Sequence, residues 1–178
     1  MNEPHRKDEL IAALRQTGDA ITTYFSALPR ERFFAGTEKA WSAAHHLQHL
    51  TQSNRPVAMG LGLPKLLLKI AVLGKAPQAS RSYGEVRGLY RAALAAGRAQ
   101  ATGRYAPRLE TDQQAQVVQD FAAAAESVAA AAERWSEDDL DAHAMPHPVL
   151  GQLSAREMLF FTLYHNSHHL EGVRARSG

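Results

Sequence analysis

Apolar residues recur at helical spacing along most of this chain, and alanine fills many of the positions between them. The sequence has 32 alanines among 178 residues, including runs at 122–125 and 129–132. Alanine has the highest intrinsic helix propensity, and apolar residues at steps of three and four form one face of an amphipathic helix. Stretches with the period-two alternation of strands are hard to find. The chain is therefore predicted to be all-α, without a sheet.

Four long helices are predicted, near residues 6–28, 42–60, 111–135 and 153–174. The last of them begins with Ser154 and has Glu157 three residues later, which is the spacing of a capping box. Amphipathic helices of this length bury their apolar faces against one another in a bundle. We predict an antiparallel four-helix bundle with a long connection between its second and third helices.

The long connection is harder to interpret. Its start belongs to the most apolar part of the chain, residues 57–74, which contains Pro64, Lys65 and Lys69 and lacks the ~20 clean apolar residues of a membrane-spanning helix. A short helix at 65–73 is expected in the core, although a contact with a partner or a second copy in a homodimer is an alternative. Glycines and arginines alternate through residues 81–110, so the order of that part stays open.

Composition excludes several classes of protein. The chain has the length of one domain, taken as residues 1–178. Its 20 Lys and Arg against 18 Asp and Glu give a net charge of +2 without a basic run, which argues against nucleic-acid binding. The lack of cysteine excludes disulfides, thiolate metal sites and cysteine nucleophiles. The mixed charges of the first residues do not resemble a signal peptide, so the expected location is the cytoplasm.

Six of the nine histidines lie in two of the predicted helices, namely His45, His46, His49, His165, His168 and His169. Residues four apart are neighbours on a helix, so His45 with His49 and His165 with His169 could each chelate an ion. A single histidine on an amphipathic helix is more often an ordinary surface or core residue. Several buried imidazoles, however, cost free energy unless their nitrogens find partners, and a shared cation would supply one. His147, between two prolines, is ambiguous.

Two motifs resemble a known family. The segment WSAAHHLQHL and, about 115 residues later, HPVLGQLSAREMLFFTLYHNSHHL are similar to the opening and closing motifs of the DinB-like superfamily. These are metal-binding, damage-inducible four-helix bundles, unrelated to the DNA polymerase of similar name. The resemblance implies that His49, His165 and His169 bind a divalent ion such as zinc, nickel, iron, manganese or copper. Helical spacing alone does not distinguish His169 from His168.

Two further histidines are candidate catalytic residues. His45 stands where the family often has an acidic or polar residue, and it could be a fourth ligand, a neighbour of the ligands or a proton carrier. His168 is expected to point away from the ion or to contact the ligands. Three imidazoles leave at least one coordination position open, which is typical of catalytic sites.

The resemblance implies a metal-dependent enzyme that acts on a small molecule. An ion with an open position could activate a low-molecular-weight thiol cosubstrate, such as bacillithiol or mycothiol, or a water molecule. The first case gives a thiol S-transferase and the second a hydrolase. The alternative is a bundle that binds a metal or an apolar ligand without turnover.

Overall fold

The computed structural model describes residues 3–37, 40–65 and 79–177. Its seven α-helices in these ranges are α1 Lys7–Ser26, α2 Arg30–Phe34, α3 Ala43–Gly62, α4 Tyr83–Ala95, α5 Gln114–Glu133, α6 Glu137–Ala142 and α7 Ala155–Ser177. A 3-10 turn covers Gly103–Tyr105, and a hairpin pairs β1 Ala144–His147 with β2 Gly151–Ser154. The short helix expected at 65–73 falls almost entirely outside the described residues.

The all-α class is confirmed. Helices α1, α3, α5 and α7 are the four long helices expected from the sequence, and their ends lie within three residues of the predicted ones. Capping fixes the start of α3, where the Ser42 hydroxyl accepts a hydrogen bond from the His45 amide. The apolar stripe of α1 is buried at Leu10, Leu14 and Ile21, as its helical spacing requires.

The directions of the helices depend on the long connection. Gln114 at the start of α5 contacts the Phe25 carbonyl near the end of α1, so these two helices run antiparallel. Helices α3 and α7 are also antiparallel. Trp135, just after α5, donates from its indole to the Leu61 carbonyl near the end of α3, so α3 and α5 run parallel. A parallel neighbour must be reached by a long crossover, which is the role of the connection.

The connection itself contains helix α4. Ser82 and Glu85 form a capping box at its start, and Val86 and Tyr90 are buried on its inner face. The Tyr90 ring meets Phe161 of α7 edge to face, with 5.0 Å between ring centroids. The capping box and the packing of Tyr90 on α7 together outweigh the glycines that weaken this helix and that left its order open in the sequence.

A two-stranded hairpin precedes α7, where no sheet was predicted. Each strand has four residues and β1 contains Pro146, so the alternation is too short to be recognised in the sequence. Gly151 at the start of β2 has a φ of 75°, a conformation that glycine adopts without strain. The hairpin brings the end of β1 against α7 and thereby forms part of a cavity wall.

Two apolar clusters fill the bundle at different levels. One contains Val57 and Leu61 of α3 with Met158 of α7, and the other contains Leu50 of α3 with Leu170 of α7. The histidines of α7 lie between these two levels, and those of α3 lie level with the second cluster. Across the described ranges, every helix is too short or too polar to cross a membrane.

Candidate metal centre

Three histidines from two helices converge inside the bundle. The Nε2 atom of His165 lies 3.1 Å from Nε2 of His49 and 3.1 Å from Nε2 of His169. One nitrogen from each residue falls within a group no wider than 4.8 Å. All three side chains are enclosed by the bundle, so the group could hold a metal ion away from bulk water.

The spacing of these nitrogens fits a shared divalent ion. Imidazole nitrogens bind zinc at ~2.0–2.1 Å, and two such ligands at angles of about 90° to 109° lie about 2.8–3.4 Å apart. The observed separations of 3.1 Å fall in this range. The side chains therefore need little rearrangement to coordinate one ion.

Burial keeps the three imidazoles neutral. Desolvation lowers the pKa of His49, and it lowers the pKa values of His165 and His169 well below the ordinary histidine value. The proximity of the histidines to one another adds to this effect for His165 and His169. At neutral pH each ring is therefore uncharged, with a proton on one nitrogen and a lone pair on the other.

A carbonyl of the connection fixes the orientation of His49. The Nδ1 atom of His49 lies 2.8 Å from the carbonyl oxygen of Tyr105, which can only accept a hydrogen bond. Nδ1 therefore carries the proton, and Nε2 presents its lone pair to the other two histidines. Metal-binding histidines are commonly held in this way by a carbonyl behind the ring. A sequence cannot reveal such a main-chain partner 56 residues away.

His46 forms a relay behind His169. Its Nδ1 lies 2.8 Å from Nδ1 of His169, and its Nε2 lies 2.8 Å from Nη2 of Arg176. A guanidinium only donates hydrogen bonds, so Nε2 of His46 accepts and its proton is on Nδ1. Burial, together with the Arg176 charge, lowers the pKa of His46 to about 4, so this ring is neutral. His46 then donates to Nδ1 of His169, which places the proton of His169 on Nε2.

The hydrogen bonds within the group cannot all be satisfied without a cation. If Nε2 of His165 carries a proton, it suits His49 but faces the Nε2 proton of His169. If it carries a lone pair, it accepts from His169 but faces the lone pair of His49. Buried polar atoms in such opposition raise the free energy of the folded state. A cation that replaces the His169 proton removes the conflict, so the residues fit a metal.

Metal binding at His169 must reverse the relay. The His169 proton has to move to Nδ1 and donate to His46, whose own proton then moves to Nε2 and faces the Arg176 guanidinium. Arg176→Met removes the positive charge and the N–H groups that the His46 proton would face. We therefore expect it to tighten zinc binding by about 3- to 10-fold. Competition titration with a chromophoric chelator measures the change.

Arg174→Met is the matched control for this change. Arg174 is in the same last turn of α7 but stacks its guanidinium over the Tyr24 ring, 5.1 Å from the centroid, away from the relay. The control loses the same charge and should bind zinc as the unmodified chain does. Equal affinities for all three proteins would contradict the relay.

Aromatic rings enclose the histidines on two sides. Trp41 packs on His46 and His49 with centroid distances of 5.3 and 5.2 Å, and it stacks parallel to His169 at 6.3 Å. Phe161 stacks on His165 at 5.1 Å. These rings limit the access of water, which strengthens electrostatic interactions inside the site.

The two candidate catalytic histidines lie apart from this group. The Nδ1 atom of His45 is 2.7 Å from the Ser42 hydroxyl, at the start of α3. His168 stacks on Tyr164 and lines a surface groove with Arg87 and Arg91. Neither is among the described histidines whose nitrogens meet at the centre. His168 touches the group only through its ring, which meets that of His169 edge to face at 5.5 Å, whereas His46 contacts a nitrogen of His169 and lies three residues before His49 on the same helix face.

A cavity of about 420 Å³ reaches the histidine group at His165. His165 and Phe161 line it, together with the apolar side chains of Val57 and Met158 and with Tyr105 of the connection. The connection thus supplies both a wall of the cavity and the carbonyl that holds His49. Small-molecule sites typically have volumes of ~300–1,000 Å³ and mostly apolar walls.

Comparison with known proteins agrees with this architecture. A family model for the DinB superfamily matches residues 13–173, a range that runs from α1 into α7 and includes the three converging histidines. No curated protein and no solved structure gives a significant match. Both motifs noted in the sequence lie within the matched range. The chain therefore belongs to the DinB superfamily.

Proposed function

We propose that this protein is a metal-dependent enzyme that transfers a low-molecular-weight thiol to an electrophilic small molecule. The observation that supports this proposal is that His165, whose Nε2 lies 3.1 Å from those of His49 and His169, also lines the apolar cavity. In this proposal the three imidazoles are the metal ligands, and the cavity is the substrate site.

A centre with three neutral ligands is suited to catalysis because it leaves a coordination position open on the ion. A divalent ion held by three imidazoles keeps an open position and lowers the pKa of a thiol or a water that binds there. His165 is the ligand that the cavity reaches, so a substrate in the cavity lies beside the centre. The Tyr105 carbonyl keeps the His49 lone pair directed inward, while Phe161 and Tyr90 cover His165 and exclude water.

The cavity wall favours thiol transfer over hydrolysis. Among the described residues that line it, none is an aspartate or a glutamate, and the Nδ1 lone pair of His147 is occupied by the amides of Val149 and Leu150. Hydrolysis generally uses a positioned base and acid to move the protons of water and of the leaving group. A thiol needs only to lose its own proton to become the nucleophile, and the cysteine-free chain leaves that thiol to a cosubstrate. A carbon–sulfur bond forms, the bond to the leaving group breaks, and the thiol proton goes to solvent.

The test measures consumption of a chloronitroarene by the zinc-loaded chain with and without bacillithiol or mycothiol. We expect turnover that requires both the thiol and the metal, and release of one chloride for each thioether formed. Chelation should stop the reaction, and readdition of zinc should restore it.

His5→Ala should leave the thiol-dependent turnover unchanged. His5 is exposed near the start of the chain, so its loss removes one imidazole from the protein without affecting the centre. Thiol-independent turnover of esters or amides would instead identify a hydrolase. If both activities are absent over a broad substrate panel and an apolar ligand is held tightly in the cavity, the protein is a binding protein and not an enzyme.

A further inference from the structure

His147 is a buried histidine of the cavity wall that the proposed metal centre does not use. It ends strand β1, only 8% of its surface is exposed, and its ring packs edge to face on Phe161 with 4.2 Å between centroids. Phe161 in turn stacks on His165. His147 is therefore one aromatic ring away from the centre, and it lines the same cavity.

The hairpin turn fixes which nitrogen of His147 carries the proton. Its Nδ1 accepts hydrogen bonds from the amides of Val149 and Leu150, at 3.2 and 3.0 Å. Two donors at Nδ1 require a lone pair there, so the proton of the neutral ring is on Nε2. Burial lowers the pKa of His147 to about 4, which keeps the ring in this neutral form.

The proton on Nε2 makes His147 a hydrogen-bond donor on a residue that lines the cavity. Within the parts of the chain that the structure describes, this nitrogen has no hydrogen-bond partner. The ring contacts Phe161, and the cavity lining includes the apolar Met145 and Met158 as well as the cationic Arg98 and Arg104. A ligand that displaces water from this nitrogen is favoured if it brings an acceptor, because a donor left unmet on binding costs free energy. The neutral ring offers no charge, so the acceptor need not be an anion.

We propose that His147 is a substrate-binding residue that donates its Nε2 hydrogen bond to an acceptor oxygen of an apolar substrate, such as a carbonyl, nitro or sulfonyl oxygen. This inference rests on the proposed function, because it takes the cavity as the substrate site. It adds the substrate class: an aromatic or aliphatic molecule with one acceptor oxygen that can lie beside Phe161.

The test compares the binding of two unreactive molecules of similar shape, acetophenone and isopropylbenzene, to the full chain with and without zinc. Only acetophenone has an acceptor oxygen. The measurement is the ratio of their dissociation constants, obtained from NMR titrations of the backbone amides.

Two variants separate the donor from the turn. In His147→Asn the side-chain oxygen replaces Nδ1 as acceptor for the turn amides, but nothing reaches the position of Nε2. In His147→Gln the longer amide can donate from near that position. We expect the preference for acetophenone to fall about 10-fold in H147N and to recover at least in part in H147Q. Isopropylbenzene should bind both variants about as well as the original chain.

An unchanged ratio in H147N, or an equal loss of affinity for both molecules, would overturn the proposal. If either variant unfolds, the original chain still gives the answer through the nitrogen NMR signals of His147. These should show the proton on Nε2 and should shift when acetophenone, but not isopropylbenzene, is added. Because binding is measured without turnover, a protein that prefers acetophenone but transfers no thiol would retain this inference and refute the proposed function.

Discussion

Replacing His165 with alanine is expected to abolish stoichiometric metal binding while leaving the helical content nearly unchanged. His165 is the central member of the group, with both other Nε2 atoms 3.1 Å from its own. Its loss leaves His49 and His169 as two ligands from different helices. The loss of affinity should exceed the ~10- to 100-fold that follows removal of a group behind a metal ligand. Metal analysis of protein purified without a histidine tag, with circular dichroism, measures both parts.

His168→Ala is the control for this experiment. It removes an imidazole from the same helix, three residues further on, but the His168 ring stacks on Tyr164 outside the group. This variant should retain one metal ion per chain. Full metal occupancy in H165A would refute the role of His165. Loss of metal in H168A would mean that His168, and not its neighbour His169, binds the ion.

Replacing Glu157 with alanine is expected to lower the free energy of unfolding far more than replacing a glutamate of a surface ion pair. Glu157 is completely buried in the first turn of α7 and accepts hydrogen bonds from Arg81 and from the Ser154 amide. Arg81 is 33% exposed and can turn to water, so the cost comes from losing several hydrogen bonds to the buried carboxylate, including that of the Ser154 amide, and amounts to about 3 kcal/mol. For a domain of this size, that corresponds to a fall in Tm of roughly 6–12 °C. Calorimetry of the metal-free protein measures it.

The pH dependence of this effect has a definite sign. Burial alone would raise the pKa of Glu157, but hydrogen bonds from Arg81 and Ser154 outweigh it and lower the pKa below the ordinary value. The carboxylate therefore stabilises the fold above its ordinary pKa, and this contribution is lost as the pH falls through the lowered value. The difference in Tm between E157A and the unmodified chain should shrink in acid.

Glu126→Ala is the matched surface control. Glu126 also pairs with an arginine, Arg15, at 2.7 Å, but its side chain is 55% exposed. Exposed ion pairs contribute about 0–1 kcal/mol, so its Tm should change little. Similar losses of stability in E126A and E157A would mean that burial of the Glu157 pair has no special importance.

Helix positions were predictable because they depend on short-range properties of the sequence. Alanine content, apolar spacing and caps act within a few residues, and they located the four long helices and the capping box at Ser154 and Glu157. The hairpin before α7 was not predictable, because each strand is only four residues long. Helix α4 was obscured by its glycines and is held by packing of Tyr90 on Phe161.

The sequence by itself determined an all-α chain of the DinB superfamily with a group of histidines on two helices. Helical spacing left His168 and His169 equivalent and the family resemblance selected His169, but only the tertiary structure shows the nitrogens of His49, His165 and His169 in one group. It also decided that the Tyr105 carbonyl, His46 and Arg176 set the protons of the group. Those contacts join residues far apart in the chain, and hydrogen bonds depend on distance and direction in space, which local sequence patterns do not encode.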